Sequence, residues 1–166
     1  MVSILRDRRL QQLFLFKGTE VERRRLDFWL SAALVESIED GEKALGRLLG
    51  ECVEFVRFSK ECPACLEGFL RVYLKSWDGM VNRDEVFELL EYVVPGDYDG
   101  IYPIEEATDV EYRRDVIQPL EKIFEKKDLG YVVSLLRFYS RLLLRWANIF
   151  ANNFHAGSTP SPLYYS

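Results

Sequence analysis

Phe69-Leu-Arg-Val-Tyr-Leu-Lys-Ser-Trp-Asp-Gly79 is the stretch of the chain that is most informative about its fold. Its apolar side chains recur every three to four residues, which predicts one face of an amphipathic helix ending near Trp77. The Trp-Asp-Gly corner favours a turn, because Asp and Gly accept the backbone conformations that turns require. Asn82 is then expected to cap a second helix, so the segment predicts two helices joined by a tight corner.

The same helical spacing extends over nearly the whole chain, and no segment shows the alternation of a strand. Thr19 and Glu22 have the spacing of a capping box at the start of the second helix. Pro119 predicts a kink or a restart within the sixth helix, because proline cannot donate a backbone hydrogen bond. The predicted helices cover about 3–16, 20–38, 42–59, 63–77, 82–94, 109–127 and 129–152.

The predicted fold class is therefore all-α, with antiparallel helices joined by short turns. Two architectures fit this pattern, a compact bundle or a stack of helix pairs, and the length suits one domain or a piece of a longer repeat array. We expect a helical domain over residues 1–154. Residues 155–166 are small, polar and proline-rich, which predicts a flexible tail.

The composition of the chain argues against some classes of protein function. Apolar residues make up 48% of the chain, which is enough for a packed core, and the formal net charge is −5, which argues against a DNA-binding module. The chain has three cysteines, and this odd number favours free thiols in a reducing compartment. No apolar run reaches the roughly 20 residues that a membrane-spanning helix needs.

The motif Cys62-Pro-Ala-Cys65 is the one feature that suggests chemistry. A redox Cys-x-x-Cys motif normally follows a strand, and a structural zinc site needs four ligands, so neither context is met. The favoured interpretation is a helix start with Pro63 in its first turn and Cys65 in the core. A thiol- or metal-dependent enzyme built on these cysteines is kept as an alternative. Otherwise we expect no catalytic residue, cofactor or metal.

Charge is unevenly distributed along the chain. Between Asp84 and Tyr112 there are ten carboxylates and no Lys or Arg. A solvated surface is the simplest interpretation, and an electronegative face that receives a basic partner is the alternative. The short basic runs around Arg8 and Arg24 favour surface ion pairing over DNA contact.

The order of these pieces resembles the centromere protein I (CENP-I) family of the inner kinetochore. The resemblance rests on the Val72-Tyr-Leu74 to Gly79 run, on Ile101-Tyr102 and on Pro119-Leu-Glu-Lys-Ile-Phe124, and it extends from Phe69 to about Phe150. It implies a HEAT-like helical-repeat solenoid that is a non-catalytic scaffold in the constitutive centromere-associated network. It also implies a nuclear location at the centromere and binding to CENP-H and CENP-K, and to CENP-M where that protein exists.

Members of that family are several times longer, so we expect this chain to be a segment of such a protein. The candidate partner-binding residues are two aromatic anchors, three residues on the long acidic loop between the fifth and sixth predicted helices, and two rim charges. They are Tyr73, Trp77, Tyr98, Ile101, Tyr102, Glu105 and Glu106. A helical adaptor of an unrelated intracellular complex is the competing interpretation.

Overall fold

A computed structural model describes residues 3–17, 19–93, 112–124 and 129–156 of the chain. Every regular element in these ranges is helical, and they contain no β-strand, which confirms the all-α prediction. The segment 95–108, between the predicted helices 82–94 and 109–127, lies outside the described residues, and so do the last ten residues of the predicted tail.

The elements follow one another with short connections. They are α1 (Ser3–Arg6), α2 (Arg8–Lys17), α3 (Glu20–Glu39), α4 (Glu42–Ser59), α5 (Ala64–Tyr73), α6 (Arg83–Leu90), a π-helical turn (Arg113–Ile117), α7 (Gln118–Phe124) and α8 (Leu129–Ala156). The last helix therefore extends four residues beyond its predicted end.

The first predicted helix is divided at Asp7 into α1 and α2, so the prediction of one continuous helix was wrong. The Asp7 carboxylate accepts hydrogen bonds from the backbone N–H groups of Arg9, at 2.8 Å, and Leu10, at 3.4 Å. An aspartate that satisfies first-turn donors in this way starts a new helix.

The two predicted helix starts at Thr19 and Asn82 have different outcomes. Glu22 accepts a 2.8 Å hydrogen bond from the Thr19 N–H, and the capping box is confirmed. Asn82 does precede α6, but its φ of 52° is left-handed and its side chain makes no capping hydrogen bond. Asn82 is thus the N-cap residue, as predicted, but its amide packs against Gly46 of α4 instead of capping the helix.

The irregularity predicted at Pro119 is confirmed as a change of helix type. The backbone N–H of Gln118 donates to the Arg113 carbonyl, five residues back, which is the hydrogen bond of a π-helix. Pro119 has no N–H, and its ring crowds the carbonyl four residues before it. The wider turn relieves that conflict before the α-helix resumes as α7.

The helices pack in a regular order. Consecutive helices form pairs, with α3 against α4, α5 against α6 and α7 against α8. In addition, α3 contacts α5, and α5 contacts the π turn that leads into α7. On the other side α4 contacts α6, and α6 contacts α8. The described elements thus form two rows, α3–α5–α7 and α4–α6–α8, with α1 and α2 lying on α4.

The core follows the predicted faces of α4, α5 and α6 closely. Leu49, Leu70 and Leu89 are fully buried, and they represent these three faces. Ile38, at the end of α3, has a hydrophobic side chain but is exposed. Helix α8 packs against both α6 and α7, but its apolar residues Leu136 and Leu143 remain exposed to solvent.

Candidate functional site

The corner after α5 places Trp77 in the core. Its indole Nε1–H donates a 2.7 Å hydrogen bond to the Val81 carbonyl, and its ring meets Phe87 edge-on with centroids 5.7 Å apart. Only 6% of the residue is exposed. This environment satisfies both the apolar surface and the one polar group of the side chain. Trp77 therefore offers little surface for the role of partner anchor that the sequence assigned to it.

Asp78 and Gly79 shape the rest of the corner. The Asp78 carboxylate accepts hydrogen bonds from the backbone N–H groups of Met80, at 2.8 Å, and Val81, at 3.1 Å. Gly79 adopts a φ of 81°, which favours glycine, and its carbonyl accepts a 2.9 Å hydrogen bond from Nε of Arg83. These contacts make the corner a rigid structural joint between α5 and α6.

Tyr73 is half-buried and keeps part of its ring in solvent. The ring stacks on Phe69 of the same helix, with centroids 5.4 Å apart, and burial raises the pKa of the Tyr73 hydroxyl. It remains the one predicted anchor with accessible surface. The other predicted partner-binding residues lie outside the described residues; they are Tyr98, Ile101, Tyr102, Glu105 and Glu106.

Two carboxylates of the acidic segment 84–112 form ion pairs with arginines of the same chain. Arg57 of α4 donates a 2.7 Å hydrogen bond from Nη2 to Glu88 of α6, and this carboxylate raises the pKa of the guanidinium. Arg141 of α8 donates a 3.0 Å hydrogen bond to Glu91. Burial raises the pKa of Glu91, while Arg141 opposes that change. These two carboxylates join neighbouring helices of the α4–α6–α8 row.

The three cysteines lie near one another, and the pKa of each thiol is raised. Burial raises the pKa of Cys52 from 9.0 to about 12 and that of Cys65 to about 12, with a contribution at Cys65 from Asp27. The pKa of Cys62 is raised further, again mainly by burial. Thiols with such values are protonated at neutral pH, and the thiolate is the form that acts as nucleophile or metal ligand.

An open groove of about 650 Å³ lies between α1–α2 and α4. Four arginines and two glutamates are among its lining residues. Arg6 forms an ion pair with Glu51, and Arg57 forms one with Glu54, so much of the positive charge is compensated. Arg24 likewise pairs with Glu20 outside the groove. One arginine of each basic run, Arg6 and Arg24, is therefore in a surface ion pair.

Helix α3 carries apolar side chains on two opposite faces. Leu26, Leu30 and Leu34 are buried against the neighbouring helices. On the other side, Val21, Phe28 and Val35 repeat every seven residues and are exposed, Phe28 to 81%. Because seven residues are close to two helical turns, the three lie in one line. We call this line the α3 outer face.

Helix α8 is two-faced in the same way. Tyr131, Leu135 and Phe138 are buried, and the Tyr131 hydroxyl donates a 2.9 Å hydrogen bond to the carbonyl of Leu120 in α7. The opposite side carries a line of exposed small and apolar residues spaced alternately four and three apart. We call this line the α8 seam, and it consists of Leu129, Val133, Leu136, Ser140, Leu143 and Ala147.

The sequence interpretation did not single out the α3 outer face or the α8 seam. A signal was present, because residues seven apart and residues alternately three and four apart share a helix face. The sequence pattern does not show which of the two apolar faces is buried against neighbouring helices. Both helices have enough apolar residues for two faces, and packing decides which one the chain itself buries.

Comparisons with known proteins add no identification. Neither a search of protein-family models nor a search of curated proteins gives a significant match to this chain. Within the described residues, no three His, Cys, Asp or Glu side chains are grouped so that they could hold a metal ion. No helix in the same ranges has both the length and the apolar character that crossing a membrane demands.

Proposed function

We propose that this chain is a non-catalytic scaffold with a HEAT-like solenoid architecture. The packing order supports the solenoid, because three helix pairs follow one another. In one row α3 contacts α5, and α5 contacts the π turn before α7; in the other α4 contacts α6, and α6 contacts α8. The helix spacing supports it too. The starts of α3 and α5 are 44 residues apart, those of α4 and α6 are 41 apart, and those of α6 and α8 are 46 apart. HEAT repeats have a period of about 40 to 47 residues.

The observation that carries the scaffold proposal is the pair of bare apolar faces. In a repeat stack each unit buries apolar surface against its neighbours, and a terminal capping unit has a polar outer face. Here α3 and α8, at the two ends of the described rows, both expose apolar side chains. Such surface is typical of sites that another protein or another repeat covers.

We further propose that this scaffold belongs to the inner kinetochore and binds CENP-H and CENP-K at the centromere in the nucleus. The support for this part is the resemblance of residues 69–150 to the CENP-I family. Trp77 and Gly79, which belong to the resembling run, form the corner that joins α5 to α6. Their role in this proposal is to hold the stack together, and the bare faces receive the partners.

Co-expression with CENP-H and CENP-K from the same source, followed by size-exclusion chromatography at moderate salt, tests the assignment. We expect the three proteins to elute together, while an unrelated coiled-coil dimer of similar size elutes apart from the chain. Separate elution of a well-folded chain would contradict the kinetochore assignment. That result would favour the competing function, a helical adaptor of another intracellular complex.

A further inference from the structure

The α8 seam has the spacing of one half of a coiled coil. Intervals of four and three residues between Leu129, Val133 and Leu136 continue through Ser140 and Leu143 to Ala147, and all six positions are exposed. This period of 3.5 residues keeps a stripe of side chains facing one neighbouring helix, into whose surface they insert. At 1.5 Å per residue the seam is about 27 Å long, which matches roughly five turns of a partner helix.

The charge on α8 has a single sign. Residues 129–156 contain three arginines and no Asp or Glu, although the whole chain has a net charge of −5. Two of the arginines serve the chain itself: Arg141 binds Glu91, and Arg145 donates a 2.8 Å hydrogen bond to the Lys60 carbonyl. The guanidinium of Arg145 also lies over the ring of Tyr92, 4.2 Å from its centroid.

Arg137 is the arginine that remains available. It is exposed, it follows Leu136 of the seam directly, and it forms no ion pair with the residues that the structure describes. In coiled-coil terms Leu136 occupies a d position and Arg137 the adjacent e position, where charges select the partner. A carboxylate on a facing helix would complement it, and a lysine or arginine there would be repelled.

We propose that the α8 seam binds an amphipathic α-helix of a partner protein, with apolar residues in the seam and carboxylates at the flanking positions. This inference rests on the proposed scaffold function and names the surface and the partner chemistry that serve it. A second copy of this chain is a poorer occupant. Pairing two α8 helices would place Arg137 of each copy against a helix that has no Asp or Glu.

Two synthetic helical peptides provide the direct test. Both have leucine at every a and d position over roughly four heptads, and they differ only in carrying Glu or Lys at every e and g position. Like charges at these positions also limit self-pairing of each peptide. Binding to the full 166-residue chain is measured by fluorescence anisotropy at low and at high salt. We expect the Glu peptide to bind at least about 10-fold more tightly at low salt, with the difference reduced by screening.

Variants locate the site. Replacing both Leu136 and Leu143 by Glu should weaken binding of the Glu peptide by about 100-fold or more, since two apolar anchors are lost and like charges are introduced. Both side chains are 63% exposed, so the folded chain should keep its unfolding midpoint. Arg137→Glu should weaken the Glu peptide about threefold, as expected for an exposed ion pair, and strengthen the Lys peptide. The control, Phe28→Glu with Val35→Glu on the α3 outer face, should leave binding unchanged.

Several results would overturn the inference. The two peptides would bind equally well, or neither would bind. The α3 control variant would lose binding. Alternatively, the chain would associate with itself, and the Leu136 and Leu143 variant would abolish that association. The kinetochore assignment fails separately. Peptide binding without co-elution of CENP-H and CENP-K would refute that assignment alone. If the Leu136 and Leu143 variant still co-elutes with CENP-H and CENP-K, the result would refute partner binding at the α8 seam but not the kinetochore assignment.

Discussion

The backbone of Gly79 packs directly against the ring of Tyr131. A β-carbon at Gly79 would lie 2.9 Å from Cε2 of Tyr131 and 2.5 Å from Cγ2 of Ile123. The corner between α5 and α6 therefore has no room for a side chain at this position, and its φ of 81° independently favours glycine. This contact fixes the end of one helix pair against the next, α7 and α8.

We predict that Gly79→Ala lowers the free energy of unfolding by about 2 to 4 kcal/mol, because it adds a clash to an unfavourable backbone conformation. Gly68→Ala is the matched control. Gly68 lies within α5, and no atom is within 4 Å of the place where its β-carbon would be. That substitution should stabilise the protein by about 0.5 to 1 kcal/mol through helix propensity. Urea unfolding followed by circular dichroism measures both, and equal effects would contradict the packing described here.

A second close approach joins α4 to α6, where Gly46 meets the side chain of Asn82. We predict that Gly46→Ala costs about 1 to 3 kcal/mol. Gly50→Ala, one turn further along α4 in open space, should instead stabilise the protein by about 0.5 to 1 kcal/mol through helix propensity. Asn82→Gly removes the obstructing amide and suits the left-handed backbone. In a double-mutant cycle it should therefore rescue Gly46→Ala; additive effects of the two changes would exclude the contact.

The two faces of α3 should respond differently to truncation. Leu30 is completely buried, and Leu30→Ala should cost about 2 to 5 kcal/mol because it leaves a cavity. Phe28, two residues earlier, is 81% exposed, and Phe28→Ala should change stability by no more than about 0.5 kcal/mol. Denaturant midpoints test the pair. A large loss at Phe28 would mean that another part of the chain covers the α3 outer face.

The thiols should become reactive only when the chain unfolds. We expect iodoacetamide to modify the native protein at pH 8 at least about 100-fold more slowly than the urea-unfolded protein, because the folded thiols remain protonated. Rapid modification of the native state at any of the three cysteines would contradict the raised pKa values.

The same pKa changes give stability a pH dependence. The Cys52 thiol ionises near 9.0 when unfolded and near 12 when folded, so between these values the unfolded state binds fewer protons. The free energy of unfolding should therefore fall as pH rises through this window. Urea titrations of the wild type and of Cys52→Ala at pH 7 and above 9.0 measure the contribution of Cys52 to this loss of stability. The Cys52→Ala variant should lack that contribution.

Local sequence signals predicted the helices well because their causes are local. The Thr19–Glu22 capping box and the irregularity at Pro119 each depend on atoms within about one turn of the chain. The division at Asp7 has an equally local cause in its carboxylate, and the apolar spacing of the surrounding residues masked it. The left-handed Asn82 was not predictable in this way, since its side chain is placed by Gly46 of a different helix.

The candidate site was less accessible to prediction than the fold. Periodicity identifies an apolar face, but burial depends on whether a neighbouring helix covers it. Leu135 and Leu136 are adjacent in sequence, and the first is buried while the second is exposed. Trp77 has the aromatic character of an interface anchor. Its ring nevertheless packs against Phe87, and its indole N–H donates to the Val81 carbonyl, inside the chain.

Hydrogen–deuterium exchange of the chain, alone and with CENP-H and CENP-K, is the most direct test of partner binding at the α8 seam. We predict slower amide exchange in the complex over residues 129–147 of α8, because a docked helix suppresses local opening of the seam. Protection confined to α3 or to other helices, or a complex that forms without protecting α8, would contradict it.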